Sequence, residues 1–150
     1  MRRTFAQVLV AVVALLALAA NGTPSNTKYA YGIIKRSCAP WDGPALALTI
    51  TPKEATCQTG APYLTINLYD LPIATGKTYK IGVQGEMKIG QASRCPDSNT
   101  CKSPDSGEVV FNSFEEEKGA SGHYRLHFQD GSSQEGDFKL KWCNNHELCG

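Results

Sequence analysis

The chain has 150 residues, 41% hydrophobic and 19% charged, with 15 basic and 14 acidic side chains and a formal net charge of +1. A near-neutral balance with scattered Lys and Arg excludes nucleic-acid binding by clustered phosphate neutralisation. Six cysteines, an even count, describe one bridged domain.

The N-terminus has the layout of a secretory signal peptide: basic Arg2 and Arg3, an apolar run from Val8 to Ala20, and the small-residue site Ala17-Leu18-Ala19. Cleavage is expected after residue 19, with a cut after 20 the alternative. The run falls short of the ~20 residues that span a bilayer, and no second run follows, so the cleaved chain is not expected to span a membrane. A lipid anchor would need a cysteine at the cleavage point, and the first is Cys38. Loss of the leader lowers the basic count from 15 to 13 against 14 acidic residues. The expected destination is secreted or periplasmic.

Residues 20–36 read as an N-terminal segment with an edge strand near Tyr29 to Ile34, interrupted by Gly32, and 37–150 as the disulfide-bridged domain. Leu46, Leu48 and Ile50 alternate with small residues, and Leu64, Ile66 and Leu68 alternate with Tyr63, Thr65 and Asn67, the pattern of strands with one buried face. Tyr79, Ile81 and Val83 continue it after the Gly76-Lys77 turn. Another strand buries Val109 with Phe111 or Val110 with Phe114. Tyr124, Leu126 and Phe128, the turn Asp130-Gly131-Ser132-Ser133, then Phe138, Leu140 and Trp142 make a hairpin. With no helical spacing anywhere, the expected fold is all-β: a single antiparallel β-sandwich or partly closed barrel of about seven strands.

Cys95 and Cys101 flank the turn formers Pro96, Asp97, Ser98 and Asn99 and are expected to pair. Long-range bridges restrict the unfolded chain more, which favours Cys38 with Cys149 and Cys57 with Cys143 over a local Cys143 to Cys149 bridge; both arrangements remain open. The absence of C-x-x-C argues against structural zinc, and no motif calls for a metal or cofactor.

His123, Arg125 and His127 share the outward face of one hairpin strand, with Asp137, Lys139 and Lys141 expected on its partner. Four residues along a strand separate the histidines by roughly 13 Å, too far to share one ion. The set reads as a mildly basic binding strip whose histidines add charge in mildly acidic solution, or as a solvated sheet face. The loop Pro96 to Thr100 is a second candidate, as a rigid recognition loop or a pinned connection. Trp41, between Pro40 and Pro44, is expected either to plug one end of the fold or to stack on a sugar. Glu115, Glu116 and Glu117 lack calcium-loop spacing and read as a solvated turn. Asn21-Gly22-Thr23 fits a glycosylation acceptor beside the cleavage site.

The opening Cys38-Ala39-Pro40-Trp41-Asp42-Gly43-Pro44-Ala45, the pair Cys95 and Cys101, the hairpin from Gly122 to Phe138 and the Cys149-Gly150 end resemble a loose group of exported bacterial proteins with no assigned activity. That resemblance implies a bacterial envelope or extracellular setting and transfers no functional residue. The leading expectation is a non-catalytic binding or envelope-associated module whose partner is a protein, a glycan or an anionic surface. The alternatives are a hydrolase inhibitor using the Cys95 to Cys101 loop and a small hydrolase using His127 and Asp137.

Overall fold

A computed structural model describes residues 27–82, 90–144 and 149. The leader, its cleavage site, the Asn21 acceptor and Val83 lie outside the described residues. Eight strands follow in chain order: β1 (Tyr31–Cys38), β2 (Pro44–Thr51), β3 (Tyr63–Leu68), β4 (Thr78–Ile81), β5 (Gln91–Cys95), β6 (Ser106–Glu115), β7 (Gly119–His127) and β8 (Ser133–Trp142). They form one sheet in the order β4-β6-β7-β8-β1-β2-β3-β5. Its outer strands meet where Ile81 bridges Gly90 in parallel, the Gly82 N–H donating to the Gly90 carbonyl at 3.0 Å and the Gly90 N–H to the Lys80 carbonyl at 2.9 Å. The sheet is thereby a nearly closed barrel.

The architecture departs from the sequence expectation in two respects. β5, Gln91-Ala92-Ser93-Arg94-Cys95, is one strand more than expected; only Ala92 among its inward positions is apolar, so its alternation is faint. The sheet is also mixed, because β1 runs parallel to β8 from Tyr31 opposite Lys139 to Ile34 opposite Trp142. β1 is no edge strand, since β2 pairs with its other side. Gly32, which seemed to interrupt it, permits that pairing: at φ 155°, a Cβ would stand 1.9 Å from the Thr49 carbonyl oxygen.

Alternation on each strand fills the interior. Leu48, Ile50, Leu64, Ile66, Val109, Phe111 and Leu126 are fully buried in one cluster. Val109 and Phe111 therefore point inward on β6. A bulge between Phe111 and Ser113 then shifts the register, which lets Phe114 pack against Phe111 from the same face, ring centroids 6.0 Å apart. The bulge explains why two alternations were legible in one strand. Tyr124, also buried, donates its hydroxyl to the Tyr29 carbonyl at 3.1 Å, and burial pushes its phenol up to about 12.

Three disulfides join Cys38 to Cys149, Cys57 to Cys143 and Cys95 to Cys101, in place of the local Cys143 to Cys149 alternative. Bridges of this number belong to an oxidising compartment outside the cytoplasm. Cys57 lies in the segment between β2 and β3, so its bonding to Cys143 draws that segment toward the end of β8. Ile33, which alternation turns outward opposite Ile34, is nonetheless 4% exposed and separate from the main cluster.

The short bridge serves the sheet edge. Just past Cys101, Lys102 turns back along β5: the Arg94 N–H donates to the Lys102 carbonyl at 2.8 Å and the Lys102 N–H to the Arg94 carbonyl at 2.9 Å. In an antiparallel ladder alternate residues face each side. Gly90, Ala92 and Arg94 are the residues of this segment that face away from β3. β4 satisfies Gly90 and the clasped loop satisfies Arg94, leaving only Ala92 without a ladder partner there among the described residues.

Candidate functional site

The histidine strip is present as an outward face, but its register differs from the expected one. His123 stands opposite Asp137, Arg125 opposite Glu135 and His127 opposite Ser133; Lys139 and Lys141 face Ser121 and Gly119. Pairing of His127 with Asp137 is thus corrected, Asp137 standing opposite His123. The cause is a tighter turn: the Phe128 N–H donates to the Ser132 carbonyl at 2.9 Å, and the Asp130 carboxylate accepts from the Ser132 N–H and hydroxyl. Those bonds, with Lys102 at 3.2 Å, hold the Asp130 carboxyl well below the usual range.

Charge on this face is balanced. Arg125 pairs with Glu135 at 3.0 Å and also faces Glu108, which pairs with Lys80; Lys141 lies 3.7 Å from Glu54. The cavities of about 610 and 550 Å³ contain neither His123 nor His127 in their described linings. Among the described residues no three His, Cys, Asp or Glu side chains converge as a metal site. No helix there is long and apolar enough to cross a membrane.

The loop Pro96 to Thr100 is exposed and braced from within. Asp97 accepts from the N–H groups of Asn99 and Thr100 and from the Thr100 hydroxyl, which lowers its carboxyl below the ordinary value. The Asp97 carboxylate and the Thr100 hydroxyl are therefore engaged in holding the turn that returns Lys102 to β5.

Trp41 does not plug the fold. It sits at the tip of the β1–β2 hairpin, 46% exposed, with its ring edge-on to Tyr69 at 5.1 Å. The hairpin closes through the Asp42 N–H to the Ala39 carbonyl at 3.0 Å and the Ala39 N–H to the Gly43 carbonyl at 2.8 Å, with Asp42 at φ 60°. Cys38 bonded to Cys149 fixes its base. Beside it opens the cavity of about 610 Å³ at this end of the barrel, lined by Leu46, Leu71, Pro72, Ile73 and Phe114, with the Arg36–Glu116 ion pair on its rim at 2.7 Å.

Tyr69 connects this end to a face of different character. Alternation turns Ala47 and Thr49 of β2, Tyr63, Thr65 and Asn67 of β3 together with Tyr69, and Gln91 and Ser93 of β5 outward. Register sets Ala47, Asn67 and Gln91 in one row and Thr49, Thr65 and Ser93 in the next. None of these eight side chains carries charge, and Lys35 of β1, opposite Ala47, borders them. The Tyr69 hydroxyl donates to Gln91 Oε1 at 3.1 Å, and partial burial pushes its phenol up. Outward positions of β6, β7 and β8, in contrast, bear Glu108, Arg125, Glu135, Asp137, Lys139 and Lys141. Tyr63, Thr65 and Asn67 were readable as an outward row in the alternation of β3; Gln91 was not, because β5 was not recognised.

No protein-family model matches the chain, and neither a curated protein nor a solved structure is found similar to it.

Proposed function

We propose that this chain is an exported, non-catalytic binding module, associated with the cell envelope or its surroundings, that meets its partner with the Trp41–Tyr69 end of the uncharged face. The observation that carries this reading is the exposure of Trp41 on a hairpin pinned by a disulfide. A large, stiff aromatic held out to solvent in a fixed place loses little entropy on binding. The leader-like N-terminus supports export, and the bridges require an oxidising destination. The β7–β8 strip is the weaker surface, because its Arg125 and Lys141 already face carboxylates.

Retention of the exported protein on an uncharged polysaccharide gel, on heparin and on anionic phospholipid vesicles tests the reading. The expected result is retention on at least one of these that disappears in Trp41→Ala with Tyr69→Ala and survives Arg125→Ala, Lys139→Ala and Lys141→Ala together. Retention lost only in the triple variant would place the site on the strip, and no retention at all would end the proposal.

A further inference from the structure

Resting on that reading, we infer that the ligand is a neutral glycan laid along β3, one sugar stacked at the Trp41–Tyr69 pair and its neighbours hydrogen-bonded by the amide and hydroxyl rows of β2, β3 and β5. The absence of charge is the first argument. The eight positions hold no cation, and Lys35, outward on β1 opposite Ala47, stands two strands away from β3, whereas sugar hydroxyls need groups that both donate and accept. Asn67 and Gln91 are such groups, adjacent in register and half-buried, so their positions are restricted before any ligand arrives.

The Tyr69 hydroxyl adds direction. By donating to Gln91 Oε1 it fixes the orientation of the amide, leaving the nitrogen to donate and the second lone pair of the oxygen to accept. The same tyrosine touches the Trp41 ring, so the stacking platform and the first polar row form one connected unit. From Tyr63 to Tyr69 the row extends roughly 20 Å at ~3.3 Å per residue, room for several sugars of a chain but far more than one needs. The long, shallow, uncharged row matches an extended polymer better than a small molecule.

A peptide is the competing occupant, and the edges argue against it. Extended peptides gain affinity by adding to an open strand edge. On the edge of β5 that faces away from β3, Lys102 occupies Arg94 and β4 occupies Gly90. Away from the Trp41–Tyr69 end, the rows of β2, β3 and β5 offer mainly threonine, serine and amide groups, where a protein interface core would carry more apolar anchors.

The test is a length series of uncharged hexose oligosaccharides followed by tryptophan fluorescence, with electrophoresis through gels holding an uncharged polysaccharide. Binding is expected to tighten from monosaccharide to oligosaccharide to polymer and to be indifferent to salt. Asn67→Ala and Gln91→Ala should each weaken it about fivefold, and Trp41→Ala about tenfold or more. Far-ultraviolet circular dichroism and an unchanged unfolding midpoint identify variants that remain folded. If neutral polymers fail to retard the protein while heparin or vesicles still retain it through Trp41 and Tyr69, the glycan inference falls and the binding reading stands. Loss of every retention removes both. Retardation indifferent to Asn67, Gln91 and Trp41 also overturns the inference.

Discussion

Replacing Cys95 and Cys101 together by serine should cost modest stability and also expose a sticky edge. The bridge spans a sequence separation of only 6, for which chain entropy predicts a contribution of about 2 kcal/mol. The Cys38–Cys149 bridge, with separation 111, should by the same relation contribute nearer ~5 kcal/mol. The second consequence depends on Lys102. Freed of the clasp, the returning segment is held to Arg94 by two backbone hydrogen bonds, each worth about 1 kcal/mol net. When it lifts, the N–H and C=O of Arg94 join those of Ala92 as an open ladder, and two copies can pair antiparallel through β5. Urea unfolding should therefore show a drop of about 2 kcal/mol, and sedimentation velocity a dimer that grows with concentration. A variant with that stability loss that stays monomeric at all concentrations would refute the edge-guarding role and leave the bridge a simple cross-link.

Gly32→Ala should destabilise the barrel by about 3 kcal/mol or prevent folding, since its Cβ would meet the Thr49 carbonyl at 1.9 Å; unfolding midpoints check this. Tyr124→Phe should cost about 1–3 kcal/mol by leaving the buried Tyr29 carbonyl without its donor. For Tyr124 itself the folded-state pKa is raised to about 12 from 10.0, so the folded state binds the proton more tightly. Its stabilisation is complete below pH 10 and lost as pH rises toward 12, and this alkaline slope in a pH series of urea midpoints should flatten in Tyr124→Phe. Asp97 and Asp130 have the opposite sign: with carboxyls held below 3.8, both turns are firm above that pH and loosen as pH falls through the lowered values. Amide exchange at Asn99, Thr100 and Ser132 should accelerate in acid, and Asp97→Ala should remove the effect at the first two only.

Elements whose alternation is strong were legible in the sequence. β2, β3, β7 and β8 each bury a row of large apolar residues, and their facing follows from period two alone. β5 escaped because a strand can be specified by its neighbours: β3 pairs with it on one side, and its inward positions include the small Ala92 and Arg94, whose guanidinium stacks over Phe128 at 4.1 Å. The hairpin register was misread because turn length depends on whether Asp130 bonds Ser132, a side-chain event that composition does not reveal. The misreading moved every partner along the return strand; in the observed register Arg125 faces Glu135, while Lys141 lies near Glu54 of another segment. Whether Trp41 plugs the fold or stands clear of it depends on the hairpin, where the Cys38–Cys149 bridge lies at the base and the tryptophan at the tip. Tertiary placement, not residue type, decided which surface stood out.

The parallel pairing of β1 with β8 bears on the order in which the chain can fold. The first described strand has as its neighbour the last one in chain order, and the Cys38–Cys149 bridge ties the same distant points. Until the final hairpin arrives, the partial chain has neither a closed barrel nor its long cross-links, and contacts of such high sequence separation form slowly. Topology thus couples barrel closure to the last of the described strands and leaves the earlier ones without their final partner until it docks.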